Sequence, residues 1–290
     1  MELAAISNAV TTYLTITVMP VGVLLNIFSL YIFSRPALNK TNMGFLSQIQ
    51  LVIDIILLTS NILIFRAHIL FNFNLYNYHE VFCRGLTLYR RYILHISSWA
   101  NLFITFDRFA YVHCPNRFKF LKNKKKILLV ELFIFFLVLL PNIINLFNYH
   151  EITTTFRNVS ESVLVNGTLV NSTNTIKTIR VSCVASFEVD VGSDMITLLM
   201  RTYIPVAFML YFNITIVRDL YMSKKKTNTK TSKKELQFTI IVILSNISFL
   251  IFYIPLLVSY IFIFNYMFSG MNNPDYKRKI DFFYNLALIY

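Results

Sequence analysis

Hydrophobic residues along the chain neither alternate with polar ones, as in a half-buried strand, nor recur every three or four positions, as on one face of a surface helix. They run together in blocks of about 20 residues, the length that crosses a bilayer as α-helix. Six full blocks lie near 10–34, 44–66, 83–107, 127–147, 195–220 and 236–265, and a seventh opens around Lys279 with IDFFYNLALIY. At a rise of about 1.5 Å per residue, that last stretch covers roughly half the hydrocarbon thickness. The pattern predicts a single domain over 1–290, an all-α membrane bundle of seven helices at 10–34, 44–66, 80–113, 127–147, 195–221, 235–265 and, incomplete, 279–290. A chain that stops inside a membrane helix is expected of an incomplete coding sequence; the alternative is a six-helix protein with a docked terminal stub.

Composition removes the soluble alternative. Of 290 residues, 56% are hydrophobic, 16% aromatic and only 14% charged, far from a soluble domain that hides its apolar residues in one core. Charge then orients the spans, because Lys and Arg are retained on the cytoplasmic side. Arg35 and Lys40, then Arg117, Lys119, Lys122 and Lys124 to Lys126, then Arg218, Lys224 to Lys226, Lys230, Lys233 and Lys234 fall on one side. The opposite long loop, 148–194, carries only Arg157, Lys177 and Arg180. The amino terminus is therefore expected outside. No basic stretch precedes the first apolar block, so that block reads as a start-transfer anchor rather than a cleaved signal. The net charge of +13 sits beside membrane spans rather than on one soluble face, which points to anionic lipid headgroups and away from nucleic acid.

The same topology sorts the remaining signals. Glycosylation sequons at Asn158, Asn166 and Asn171 fall in the long outer loop, whereas matches at Asn39, Asn213 and Asn246 fall at or within spans and read as chance. Cys83 and Cys183 are both outside, where a disulfide would persist and would tie the loop across the bundle mouth; Cys114 is inside, a free or palmitoylated thiol. IKTIRVSCV around Cys183 alternates apolar and polar residues, predicting a strand and hence a short β-hairpin in that loop. Two acids lie at membrane depth. Asp54 in LVIDIILL demands a partner or a function, Ser97 being the plausible partner, while Glu131 lies close enough to the lysine run to snorkel.

From Cys83 to Asp107 is 24 residues, roughly 36 Å of helix, which just crosses the membrane. That spacing, the DRF at Asp107, Arg108 and Phe109, and Pro115 eight residues after the acid resemble the rhodopsin-like, or class A, G-protein-coupled receptors. GVLLN with Asn26, LVID with Asp54, Pro205, and FLIFYIP with Phe249 and Pro255 follow in the family's order over about 280 residues. The resemblance implies that Arg108 is held by Asp107 and by Glu235 at the base of the sixth helix, 20 residues before Pro255, and is released toward a heterotrimeric G-protein when an outside ligand favours the open inner face. It implies a polar network of Asn26, Asp54 and Ser97 that in relatives holds an allosteric sodium ion, and a switch at Phe249, Tyr253 and Pro255 in the sixth helix. No other cofactor is implied. The implied location is the plasma membrane.

Ligand class rests on arginines at outer membrane depth: Arg66, Arg90, Arg91 and Arg201. Arg90 stands 17 residues before Asp107, where amine receptors of the family carry an aspartate, so a monoamine is disfavoured. A peptide bearing an anionic group is expected, the hairpin lid and the aromatic rim LFNFNLYNYHEVF suiting an extended ligand such as an invertebrate neuropeptide. The alternative is that Glu188, Asp190 and Asp194 neutralise these arginines. Departures from the family are the lack of tryptophan in the fourth helix, Trp99 being the only one; Tyr253 in place of a tryptophan; Asn213 in place of a tyrosine in the fifth helix; and no NPxxY end to the seventh. The chain as given is therefore expected not to signal. A six-helix carrier or channel is the other reading, but no internal repeat supports it. An enzyme is disfavoured because His68, His79, His95, His113 and His150 show no metal-ligand spacing and no nucleophile elbow or phosphate loop is present.

Overall fold

The computed structural model describes residues 9, 12–66, 75, 79–113, 117–118, 123–148, 152–165, 168–181, 187–226, 240–248, 251, 254, 258 and 261. Helix α1, Met19–Phe33, continues a π-helical turn, Leu14–Val18. Arg35 is extended ahead of Pro36, as a residue before proline prefers, and a one-turn helix, Pro36–Asn39, leads to α2, Asn42–Ser60. Thr41 caps α2: its Oγ1 accepts from the Gly44 amide at 3.0 Å and donates to the Leu38 carbonyl at 2.7 Å. Only glycine fits at 44, since a Cβ there would lie 2.1 Å from the Leu38 carbonyl oxygen.

A π-helical turn, Asn61–Phe65, ends α2, and α3 runs Glu80–His113, 34 residues or about 51 Å. Next comes α4, Lys124–Asn148, with Pro141 inside it. Helix α5 is composite: Phe187–Thr197, a π-helical segment Leu198–Tyr203, then Ile204–Lys226. Residues 240–248 form the described part of α6.

Among the described residues four helical stretches are long and apolar enough to cross a membrane: Thr15–Phe33, Asn42–Ile64, Lys124–Ile144 and Gly192–Asp219. Helix α3 is not among them, and its position explains why. It packs against α2, α4 and α5 and buries residues on all its faces, so it can carry Arg91, His95, Asp107 and Arg108 where a lipid-facing helix would carry Leu. In contrast α1 exposes Val21, Leu24, Leu25, Phe28 and Tyr31, the side chains a bilayer would cover. Two apolar clusters hold the bundle. Met43, Leu46, Phe103, Ile104, Ala110, Ile127 and Val242 join α2, α3, α4 and α6, while Ile53, Leu57, Ile93, Leu94, Ile96 and Ala100 join α2 to α3.

Several expectations need correction. The hairpin between α4 and α5 is not short: β1, Ile152–Val165, pairs antiparallel with β2, Thr168–Val181, from Ile152 opposite Val181 to Val165 opposite Thr168. Residues 166 and 167 between them are Asn-Gly, the pair most suited to a two-residue hairpin connection. Asn158 and Asn171 therefore lie on strands, and Asn166 lies outside the described residues. Helix α4 begins at Lys124 rather than 127, so the lysines form its first turn, and α5 begins eight residues before 195. The seventh span, 279–290, lies outside the described residues.

Candidate functional site

Near the C-terminal end of α3, Asp107 and Arg108 are both buried and paired: Arg108 donates from Nη2 at 2.6 Å and from Nε at 3.2 Å, both to Asp107 Oδ2. Two donors on one oxygen leave Asp107 Oδ1 outside this pair and turn the guanidinium back along its own helix. Its Cζ lies 5.6 Å from the centre of the Tyr111 ring, a cation–π contact. Phe109 faces away from the pair. It stacks on Phe212 of α5 with centroids 4.7 Å apart and on His113 at 5.1 Å, while Phe106 meets Phe212 at 5.6 Å and Phe118 edge-on at 5.3 Å. One helical turn further on, His113 Nδ1 contacts Asp219 Oδ2 at 2.5 Å. The DRF triplet thus splits its work: an ion pair on one side, an aromatic bearing on α5 on the other.

Higher in the bundle, Asp54 Oδ1 accepts from Ser97 Oγ at 2.9 Å and from Gln50 Nε2 at 3.0 Å, and Gln50 Nε2 also lies 3.2 Å from Ser97 Oγ. Gln50 was not foreseen, although it stands four residues before Asp54, one turn away on the same face. Asn26 on α1 makes no hydrogen bond to Asp54 or Ser97 among the described residues. Asp54 and Ser97 bring two side chains with oxygen donors together here, the kind of atom a hard cation takes, with the Gln50 amide beside them.

Toward the opposite end of α3 the arginines are largely built into the bundle. Arg91 Nη2 lies 3.1 Å from Asp194 Oδ1 and its Nη1 donates to Thr197 Oγ1 at 3.1 Å, tying α3 to α5. His95, fully buried one turn on, donates from Nδ1 to the Arg91 carbonyl and lies in the field of Arg201. Arg66 and Arg201 are buried too, Arg201 within the π-helical segment, and Arg90 is half-buried. Trp99 Nε1 donates at 2.8 Å to the carbonyl of Met200 in that same segment, a bond to a backbone group whose helical partner is shifted by the π geometry. The picture of an open basic pocket is corrected for Arg91, whose charge is answered by Asp194. Glu131 does not snorkel: it is 1% exposed, on the face of α4 that also buries Ile127, Val138 and Asn142.

The sequence profile of the 7 transmembrane receptor (rhodopsin family) matches residues 25–290, nearly the whole chain. The chain belongs to that family. A search of curated proteins finds no match to it.

In this rhodopsin-family receptor, Glu235, Cys183, Phe249, Tyr253 and Pro255 lie outside the described residues. Cys83 is disulfide-bonded, its partner outside them. Sequence reasoning missed a cluster that the fold assembles between the Asp54 network and the DRF. Thr105, Asn213 and Asn246, from α3, α5 and α6, are linked by hydrogen bonds. The signal was present, since an Asn inside an apolar span needs a partner. Among the described residues no group of His, Cys, Asp and Glu is placed to hold a metal.

Proposed function

We propose that this receptor binds an extracellular peptide carrying an anionic group, of the invertebrate neuropeptide type, and passes the signal to a heterotrimeric G-protein at the plasma membrane. The observation that carries the coupling half is the buried Asp107–Arg108 pair at the inner end of the central helix, with Phe109 stacked on α5. An ion pair confined to adjacent residues of one helix can be opened without unpacking that helix, and Phe109 transmits a shift of α5 directly to it. Glu235 would supply the second carboxylate from the sixth helix.

The ligand half rests on Arg201 and Arg90, cations at outer depth, and on the long hairpin as a rim for an extended chain. Pairing of Cys83 with Cys183 would fasten that rim to the head of α3, glycans on Asn158, Asn166 and Asn171 would mark it as outward-facing with the amino terminus, and anionic lipid would meet the lysine-rich inner loops. A carrier is less well supported, because no internal repeat relates two halves of the sequence.

The test is binding of a fluorescent amidated-peptide library to the chain in nanodiscs, followed by nucleotide exchange on co-reconstituted G-protein. A saturable peptide ligand whose affinity falls about tenfold or more in Arg90→Ala and in Arg201→Ala is expected, the size of one buried charge-assisted contact. Unchanged affinity in both variants would remove the arginines from the ligand site.

A further inference from the structure

The cluster missed from sequence has a geometry that says what it does. Asn246 is 1% exposed and Thr105 fully buried, with Asn213 half-buried beside them. The Asn246 amide has two protons, and each goes to a different helix: Nδ2 donates to Thr105 Oγ1 on α3 at 2.9 Å and to Asn213 Oδ1 on α5 at 3.2 Å. The Thr105 hydroxyl has one proton to share between the Asn101 carbonyl at 3.0 Å and Asn246 Oδ1 at 3.3 Å. Turning the Asn246 amide over alone would set its oxygen against Asn213 Oδ1, whereas turning both amides over together keeps a bond to each neighbour, so the three helices are joined in either assignment.

Thr105 stands three residues before Arg108, about 4.5 Å along the axis and close to the same face. The charges of the DRF therefore have, one turn above them, a neutral joint that gathers all three helices. Apolar packing at that level, through Val242 and Phe103, is directionless and lets α6 slide. The amide is directional and does not.

We propose that Asn246, Thr105 and Asn213 form an uncharged latch that holds α6 against α3 and α5 in the resting receptor, acting independently of the Asp107–Arg108 pair. Opening it moves the inner end of α6 outward and exposes the face on which a G-protein docks. The proposal rests on the receptor reading only for that last consequence; the latch itself is a statement about helix positions.

The test separates the two. In a Cys114→Ser background, spin labels at Tyr221→Cys on α5 and Ile240→Cys on α6, both exposed positions, report the distance between the helices in nanodiscs. The parent chain is expected to give one short distance. Asn246→Leu, of similar volume and without the amide, is expected to add a longer one, with the open-to-closed ratio raised about threefold to tenfold, as for one or two interhelical hydrogen bonds. Thr105→Val, which removes only the hydroxyl, shifts the ratio in the same direction by less, and serves if Asn246→Leu fails to fold. An unchanged distance distribution in a folded variant overturns the latch. A shifted distribution with no gain in G-protein nucleotide exchange upholds the latch alone. A shift with a gain supports both.

Discussion

Removing the carboxylate of Asp194 separates a structural role for Arg91 from a ligand-anchoring one. Its Oδ1 lies 3.1 Å from Arg91 Nη2, with side chains 12% and 16% exposed for Arg91 and Asp194. Coulomb's law at that distance and an effective dielectric of about 20 gives about 5 kcal/mol of gross attraction, most of it offset by the desolvation of two ions. The contact is a charge contact rather than an aligned hydrogen bond, because Oδ1 fails the angular criterion while Arg91 Nη1 satisfies it at Thr197. The net worth of the pair is therefore small. Deleting one partner is another matter: Asp194→Ala leaves a guanidinium with little access to water and costs about 3 kcal/mol. On the unfolding entropy expected of 290 residues, that is an apparent Tm lower by roughly 5 °C. Asp194→Ala combined with Arg91→Leu removes both charges and is expected to recover at least half of the loss. Thermal unfolding of the chain in nanodiscs, followed by circular dichroism, measures all four corners of the cycle. If the double variant loses as much as the two single losses added together, Arg91 and Asp194 do not stabilise one another, and the structural reading of Arg91 fails.

Three further outcomes are expected. Gly44→Ala forces a Cβ to within 2.1 Å of the Leu38 carbonyl oxygen, so the turn into α2 must rearrange; expression and apparent Tm are expected to fall, by about 2 kcal/mol in stability, and an unchanged Tm would show that turn to be pliant. Trp99→Phe removes the bond to the Met200 carbonyl and is expected to cost about 1 kcal/mol by thermal unfolding, with the parent protein's only tryptophan emitting at the blue-shifted wavelength of a partly buried indole. Glu131→Leu replaces a buried carboxyl whose Oε2 has no hydrogen-bond partner among the described residues with an apolar group and is expected to raise the apparent Tm; a lower Tm would point to a polar role for Glu131 in the bundle.

How far the sequence reached differs by level. Helix placement was legible because lipid demands continuous apolar length, and that demand is local: α1, α2 and α4 lie where their blocks of Leu, Ile and Phe lie. Helix ends were less so. The lysines at 124 to 126 read as loop by charge, yet they form the first turn of α4, where Lys124 reaches the Asn39 carbonyl and the face of Phe45. The π-helical segments were not legible at all, for they depend on which neighbour takes the displaced carbonyl, as Trp99 does at Met200. Of the site, Asp54 and Ser97 were readable as an isolated acid and a polar residue at matching depth. Gln50 and the two asparagines carry no motif: Gln50 meets Asp54 on its own helix and Ser97 on α3, and the asparagines join only where α5 and α6 pack together.

The polar residues of α3 explain why one helix can serve as the axis of the whole bundle. Going inward along it, Arg91 reaches Asp194 and Thr197 on α5, Tyr92 reaches the Phe135 carbonyl on α4 at 3.1 Å, Ser97 reaches Asp54 on α2, Trp99 returns to α5, Thr105 reaches Asn246 on α6, and His113 meets Asp219 on α5. Each neighbour is held at a different height, so none can be displaced without breaking a directed bond that water cannot replace inside a bilayer. The holding is unequal. Helix α5 is bonded at Arg91, at Trp99 and at His113, over 22 residues or about 33 Å, and can rotate only as a unit. Among the described residues, α6 is bonded to α3 at Thr105 alone. Its tie lies one turn above Arg108, where Asn246 also reaches Asn213 on α5. On the latch reading, a shift of α5 acts on Asn213 and through it on the amide that holds α6 in place.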